Sequence, residues 1–454
     1  MTQLESQDAI SLGLVRSSAI ALFNQGLEQL QAGNYSAALD YFDDALTMNL
    51  SDPTIWEKRA VALQNLGRYV EAIASNNMAL SFYSDKLKLF DAQGWFNQGN
   101  QRYVTGNLQG AIAAYDKALE IKPDDYEAWY NRGVVYENLE RYEEAIASYD
   151  KAIQFKSDYY EAWYNRGVAL GNLGRYEQAV VSLDKAIQLK PNFHEAWYNR
   201  GVALGNLGYL EDALASFDKT LQMKPDDYEA WNNRGLALEN LGFLEEALTS
   251  LDKAVEFKPD DYQAWNNRGL VLRKLGQSEQ ALVCFDKAVE FKPDDYEAWN
   301  NRGLVLRKLG SLEQSLTSFD KAIEFKPDDY QAWNNRGVTL RKLGSLEEAL
   351  TCFDKTVEFK PDYSEAWYNR GVALGNLGRY EQALASFDKA IELKPDFHQA
   401  WNNRGFALRN LRRYEEAIAS YDKAIELKPD FYQAWHNREN ALSNLGRLDE
   451  ASAS

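Results

Sequence analysis

The chain has 454 residues, 45% of them hydrophobic, with 68 acidic against 50 basic side chains and a formal net charge of −18. That balance argues against sequence-independent nucleic-acid binding, which rests on Lys and Arg neutralising phosphates, and against docking on anionic membrane surfaces. Length alone allows two or three globular domains, but an internal repeat overrides that count, because repeats stack into one elongated body.

The opening stretch "MTQLESQDAISLGLVRSSAIALF" has no basic start, and Arg16 and Ser17 interrupt its apolar run. It does not read as a signal peptide, and residues 1–18 are expected to be disordered or to form a partial packing helix. No stretch approaches the ~18 apolar residues of a membrane span. Only Cys284 and Cys352 could form a disulfide, and they stand at equivalent places two repeats apart. Packed neighbouring helices lie about 8–10 Å apart, whereas a disulfide needs Cα atoms within roughly 7 Å. A cytoplasmic, reducing compartment fits this cysteine usage.

From Trp95 to Trp435 a tryptophan recurs every 34 residues. Taking it as position 4 gives units starting at 19, 53, 92, 126, 160, 194, 228, 262, 296, 330, 364, 398 and 432, twelve complete and the last stopping at Ser454. On a helical wheel, positions 3, 4, 7, 8, 10, 11 and 14 share one half. In the fifth unit these are Ala162, Trp163, Arg166, Gly167, Ala169, Leu170 and Leu173, and the other half carries Glu161, Tyr164, Asn165, Val168, Gly171 and Asn172. This predicts an amphipathic helix A ended by Gly174, where a left-handed residue is wanted. "RYEQAVVSLDKAIQL" then predicts helix B, with Tyr176, Ala179, Leu183 and Ala186 on one face and Pro191 as the stop. Asp or Asn before the next helix A is expected to cap it. Gly at position 8 and Ala at position 20 remove bulk where A and B approach. A hairpin of this size cannot bury its own apolar faces and must stack on copies of itself.

Trp at 4, Gly at 8, a large apolar residue at 11, Ala at 20, an aromatic or Leu at 24, Ala at 27 and Pro at 32 resemble the tetratricopeptide repeat, over residues 19–454. The resemblance implies an all-α fold, a right-handed superhelix of antiparallel hairpins (an α-solenoid) whose concave groove is lined by helix A, in a protein of bacterial type. Position 7 departs from the family pattern: Leu is usual, but this chain writes Arg, from Arg132 and Arg166 through Arg438. The wheel puts it on the buried half, and a buried guanidinium needs a partner. Position 25 on helix B is Asp in nearly every unit, Asp150 to Asp422, so an Arg–Asp ladder setting register between helices is expected.

On the free half of helix A, position 6 is Asn in twelve of the thirteen units, with Lys58 the exception. Asn131, Asn165, Asn199, Asn233, Asn267, Asn301, Asn335, Asn369 and Asn403 form the regular run. Asn is a mediocre helix former, but its amide offers a donor and an acceptor to an extended peptide backbone. The tetratricopeptide superhelix of O-linked N-acetylglucosamine transferase carries a similar Asn ladder, and that resemblance implies a peptide-binding groove. Duplication of one unit would copy its Asn in any event. Positions 12 and 13 become Arg273–Lys274, Arg307–Lys308 and Arg341–Lys342 in three adjacent units, then revert to Gly375–Asn376. Six cations on one concave wall would focus field on an acidic or phosphorylated segment or a free C-terminus. Near-copying of these units, or the preference of cations for a helix C-terminus, would also place them there. The Lys at position 5 used by the carboxylate clamp of chaperone-binding members is absent.

Nothing in the chain resembles catalysis, metal binding or a cofactor site: His194, His398 and His436 are scattered, and no Gly-rich phosphate loop follows a strand. "SFYSDKLKLFDAQG" (81–94) adds five residues between repeats 2 and 3 and lacks the Pro, so stacking is expected to bend or loosen there. Repeats 1–2 (19–91) would then stand apart from the regular repeats 3–12 (92–431) and the truncated repeat at 432–454. "DEASAS" stops midway through a helix B, which points to a longer polypeptide or to an edge available for a partner or self-association. The sequence therefore reads as a non-enzymatic interaction scaffold taking an extended, acidic-leaning peptide or protein segment in its groove, without nucleic acid and without membrane insertion. The alternative is a regulatory or substrate-recruiting part of a larger bacterial glycosyltransferase, peptidase or kinase.

Overall fold

The computed structural model describes residues 4–86 and 92–447, with side chains described for 18–82 and 92–447. The inserted residues 87–91 and the terminal 448–454 lie outside that set. The chain divides into two compact units, Met1–Pro225 and Asp226–Ser454. Unit 1 carries six helical hairpins, from Leu4–Gln31 to Leu210–Met223; unit 2 carries six more and a final helix A, from Tyr228–Leu241 to Tyr432–Asn444. No strand occurs among the described residues. Each unit is an all-α solenoid of the expected kind.

The hairpin follows from local chemistry. Helix A of the fifth repeat runs Tyr160–Asn172. Gly174 then takes φ 73°, reversing the chain, and the Arg175 N–H closes the end by donating to the Leu170 carbonyl. The same left-handed position is filled by Glu140 (φ 57°) and Arg412 (φ 61°) in two repeats, at a cost of about 1 kcal/mol each for a side chain there. Helix B follows at Tyr176–Leu189. The helices cross where position 8 has no side chain. A Cβ on Gly167 would sit 2.7 Å from Leu183 Cγ and 3.3 Å from the Ala179 carbonyl, and one on Gly303 would sit 2.6 Å from Phe319 Cε1. Trp at position 4 ties the turn to the helix: Trp299 Nε1 donates to the Pro293 carbonyl at 2.8 Å, and Trp129, Trp265, Trp333 and Trp367 repeat the bond.

Capping by the residue before helix A holds only in part. Asp125, Asp227, Asp261, Asp295 and Asp329 accept from backbone N–H groups of the first turn. Where Tyr159, Phe193, Tyr363, Phe397 or Phe431 takes that place, no side-chain cap bond forms. The ring packs on the preceding repeat instead, as Tyr159 does on Tyr130 at 4.9 Å between centroids.

Within each unit B helices pack on the next A helix and successive A helices touch each other, except at the junction of repeats 2 and 3, where the close approach is between successive B helices, Tyr69–Lys86 and Leu108–Ile121. Elements that approach more closely lie on the inside of a curved stack, so the A helices form the inner side of each regular run. The exception sits at the junction of repeats 2 and 3, where the B helix extends over 18 residues instead of 14. A buried ion pair ties that junction, Arg102 Nη2 to Glu57 Oε1 at 2.8 Å. At the N-terminus, Leu4–Gln31 is a single 28-residue helix that runs on into the first helix A.

Candidate functional site: the inner face of the A helices

The position-7 arginines belong to the seam between hairpins, not to the inner face. Arg302 Nε meets Asp286 of the preceding helix B at 2.6 Å, its Nη1 donates to Ser318 Oγ of its own helix B at 2.7 Å, and its guanidinium lies 5.6 Å from the Trp299 ring. The same arrangement joins Arg132–Asp116, Arg166–Asp150, Arg200–Asp184, Arg370–Asp354 and Arg404–Asp388, and Arg438 meets Asp422 in the same way. In two repeats the buried free cysteines replace the serine: Cys284 Sγ lies 2.9 Å from Arg268 and Cys352 Sγ 3.1 Å from Arg336. Burial pushes both thiols up, against the pull of the adjacent arginine. The expected Arg–Asp ladder is therefore present, and each guanidinium sets the register of three elements at once. Repeat 3, with Gln98 at this position, lacks it.

The position-6 asparagines from Asn131 to Asn403 are half-buried on the inner face, and Asn131, Asn165, Asn199, Asn267, Asn301, Asn335, Asn369 and Asn403 are fastened to the hairpin before them. Asn165 Nδ2 donates to the Tyr130 hydroxyl and Asn199 to that of Tyr164, both at 3.0 Å. In unit 2 the acceptor is another amide: Asn267 donates to Asn232 at 2.9 Å, Asn335 to Asn300 at 3.0 Å, Asn369 to Asn334 at 3.2 Å; Asn403 returns to a hydroxyl, Tyr368, at 3.1 Å. Asn131 follows Phe96, which has no acceptor, and turns to Asn100 at 3.0 Å. One amide N–H of each of these is thus spent on inter-hairpin register. Position 5 is the residue that sequence reasoning passed over; its signal was a polar residue recurring 35 residues before every Asn of the row after Asn131. The side-chain oxygens of Asn165, Asn199, Asn267 and Asn369 accept no hydrogen bond from the described residues.

Of the six candidate cations, the arginines are half-buried and the lysines exposed. Lys274 is engaged by Glu239 of the preceding repeat. Arg273 Nη1 donates to Asn301 Oδ1 at 3.3 Å and Arg307 Nη1 to the Asn335 carbonyl at 3.1 Å, so these cations and the Asn row share one face. Lys308, Arg341 and Lys342 form no ion pair among the described residues. Burial lowers the pKa of Arg273 and of Arg307, and the charge of Arg341 adds to the effect on Arg307. A fourth guanidinium at the same position, Arg409, lies 5.1 Å from the Phe406 ring. The 34-residue period would have found it.

Between successive A helices of unit 2 the face opens into pockets. One of about 390 Å³ is lined by Leu270, Tyr296, Asn300, Asn301, Asp329 and Tyr330. One of about 400 Å³ repeats it a hairpin earlier, with Leu236, Tyr262, Asn266, Asn267 and Asp295. In unit 1 a pocket of about 260 Å³ opens instead beside Gly167 and Gly171, against Val168, Asn199 and Val202. No group of three or more His, Cys, Asp or Glu side chains able to hold a metal occurs among the described residues, and no described helix is long and apolar enough to cross a membrane.

This hairpin geometry matches known sequence families. Models described as tetratricopeptide repeat or TPR repeat match between them residues 23–86, 96–193 and 198–431. The chain belongs to the tetratricopeptide repeat family. It is 30% identical over 108 residues to an Hsp70-Hsp90 organising protein of Plasmodium falciparum, covering 24% of this chain and 41% of that protein. It is 28% identical over 99 residues to small glutamine-rich tetratricopeptide repeat-containing protein 2 of Mycosarcoma maydis, covering 22% and 27%. The chain therefore spans less than half the length of these curated relatives. Among solved structures it is similar to YrrB, described as a TPR protein with an unusual peptide-binding site, at 30% identity over 40% of this chain and 95% of that one, with a TM-score of 0.36.

Proposed function

We propose that the chain is a non-enzymatic scaffold that holds an extended segment of a partner polypeptide along the inner face of its A helices. The observation that carries this is the half-used amide row. Asn165, Asn267 and Asn369 are each held in place by one hydrogen bond to the preceding hairpin, while their oxygens stay open on the same face. Pre-oriented amides at a fixed repeat suit a peptide backbone, whose own N–H and C=O groups recur regularly and must be satisfied wherever they leave water. The pockets of unit 2 recur at the same interval and would take side chains of that segment. The relatives named as organising proteins and the peptide-binding description of YrrB agree with this reading.

The test is site-specific photocrosslinking in the full chain, with a photoreactive residue at Asn267 or Val168 on the inner face and at Lys185 or Lys287 on the outer helices. Peptides from a random library should be captured from the first pair and not from the second. Capture from the outer positions alone, or from all four alike, would defeat the proposal.

A further inference from the structure

Arg273, Arg307 and Arg341 occupy one position on three successive A helices of unit 2, Tyr262–Lys274, Tyr296–Lys308 and Tyr330–Leu343. In this acidic chain the seam arginines beside them are matched with carboxylates. These three are not: among the described residues none has a carboxylate within ion-pair reach. Arg273 and Arg307 touch only neutral acceptors, on Asn301 and Asn335, and Arg341 Nε is buried with no acceptor at all. A guanidinium carries five donors and stays charged at neutral pH, so each retains most of its donors. Holding three partly desolvated cations in a row without counter-charge is unfavourable for the free protein; a bound anion would relieve it.

The spacing of the row restricts the ligand. Successive members of the three helices touch, which sets the repeat near a helix-packing distance, about 8–10 Å. A polyproline-II segment rises about 3.1 Å per residue with three residues per turn, so every third side chain falls on one face at about 9 Å. A β-strand returns to the same face every second residue, about 6.6–6.8 Å, and drifts out of step with the row. We propose that Arg273, Arg307 and Arg341 form an acid-reading row that binds a polypeptide segment in polyproline-II conformation through carboxylates at i, i+3 and i+6. This rests on the inner-face reading above and adds to it the chemistry and register of the segment. Lys308 and Lys342, exposed beside the row, add unpaired charge for flanking acidic residues, whereas Lys274 is held by Glu239.

Fluorescence anisotropy with the full chain tests this, using two labelled Pro/Ala peptides of identical composition carrying three Glu at i, i+3, i+6 or at i, i+2, i+4. The matched register should bind at least about tenfold more tightly, weakening as salt rises. The triple variant R273Q/R307Q/R341Q should lose that preference. Gln keeps helix propensity and most of the aliphatic stem, and circular dichroism confirms that the variant is folded. Equal binding of the two registers, a preference that survives in the folded triple variant, or tighter binding of a single-stranded oligonucleotide than of the matched peptide would each overturn the proposal. Inner-face crosslinks to peptides that ignore the triple variant would remove this inference and leave the scaffold reading standing; absence of inner-face crosslinks to any peptide would remove both.

Discussion

In unit 1 Asn165 donates to Tyr130, whose ring packs 4.9 Å from Tyr159; in unit 2 Asn335 makes the equivalent bond to Asn300, and Asp329 stands where unit 1 has Tyr159. The inter-hairpin bond is conserved in geometry while the volume around it is not. Two rings tilted by 50° fill the gap between A helices in the first arrangement. Two short polar side chains leave a pocket of about 390 Å³ in the second. Unit 1 opens its own pocket farther along the helix, where Gly171 stands at position 12, the place filled by Arg273, Arg307 and Arg341 in unit 2. One hairpin scaffold thus carries two inner faces, an aromatic one with a small apolar opening and an amide-lined, cationic one. The seam pairing of Arg with Asp is the same in both.

Substitution at position 8 should have the largest effect and sharpen this view of a shared scaffold. Gly303→Ala would drive a Cβ against the Phe319 ring at 2.6 Å, an overpacking cost of about 1–3 kcal/mol in urea unfolding. Gly167→Ala in unit 1 would meet Leu183 Cγ at 2.7 Å and the Ala179 carbonyl at 3.3 Å, and should cost a similar amount. Breaking the seam comes next. Asp286→Ala and Asp150→Ala each leave an arginine without its counter-charge, but both carboxylates are about half exposed, so about 1 kcal/mol is expected in either unit. A clear difference between the two would break the claim that the seam is common. Third, Tyr130→Phe keeps the ring packing and removes only the acceptor of Asn165. About 0.5–1 kcal/mol should be lost, and the amide signal of Asn165 should shift in NMR.

The smallest effect concerns charge at position 12 in unit 1. Burial raises the pKa of Glu137, offset in part by the hydrogen bond it accepts from Tyr149. A carboxyl whose folded pKa is raised contributes stability below its unfolded pKa and loses it as pH rises through the folded value. Glu137→Gln, neutral throughout, should therefore gain on the wild type between pH 4 and pH 7. A constant difference across that range would show that the carboxylate is not desolvated.

The period, the two helices of each unit, the left-handed glycine and the Arg–Asp seam were all legible in the sequence. Each depends on contacts within one hairpin or between a hairpin and its immediate copy, and a fixed offset along the chain encodes such contacts directly. The Asn row and the Arg–Lys pairs were legible as residues but not as to how free they are. Only packing between copies decided that one N–H of amides such as Asn165, Asn267 and Asn335 goes to position 5 of the hairpin before, that Glu239 engages Lys274, and that Arg341 Nε has no partner among the described residues. Whether a polar atom is open to a ligand depends on which neighbour reaches it first in space. A helical wheel places a residue on a face; the stacked tertiary structure decides what remains of its hydrogen-bonding capacity once it is there.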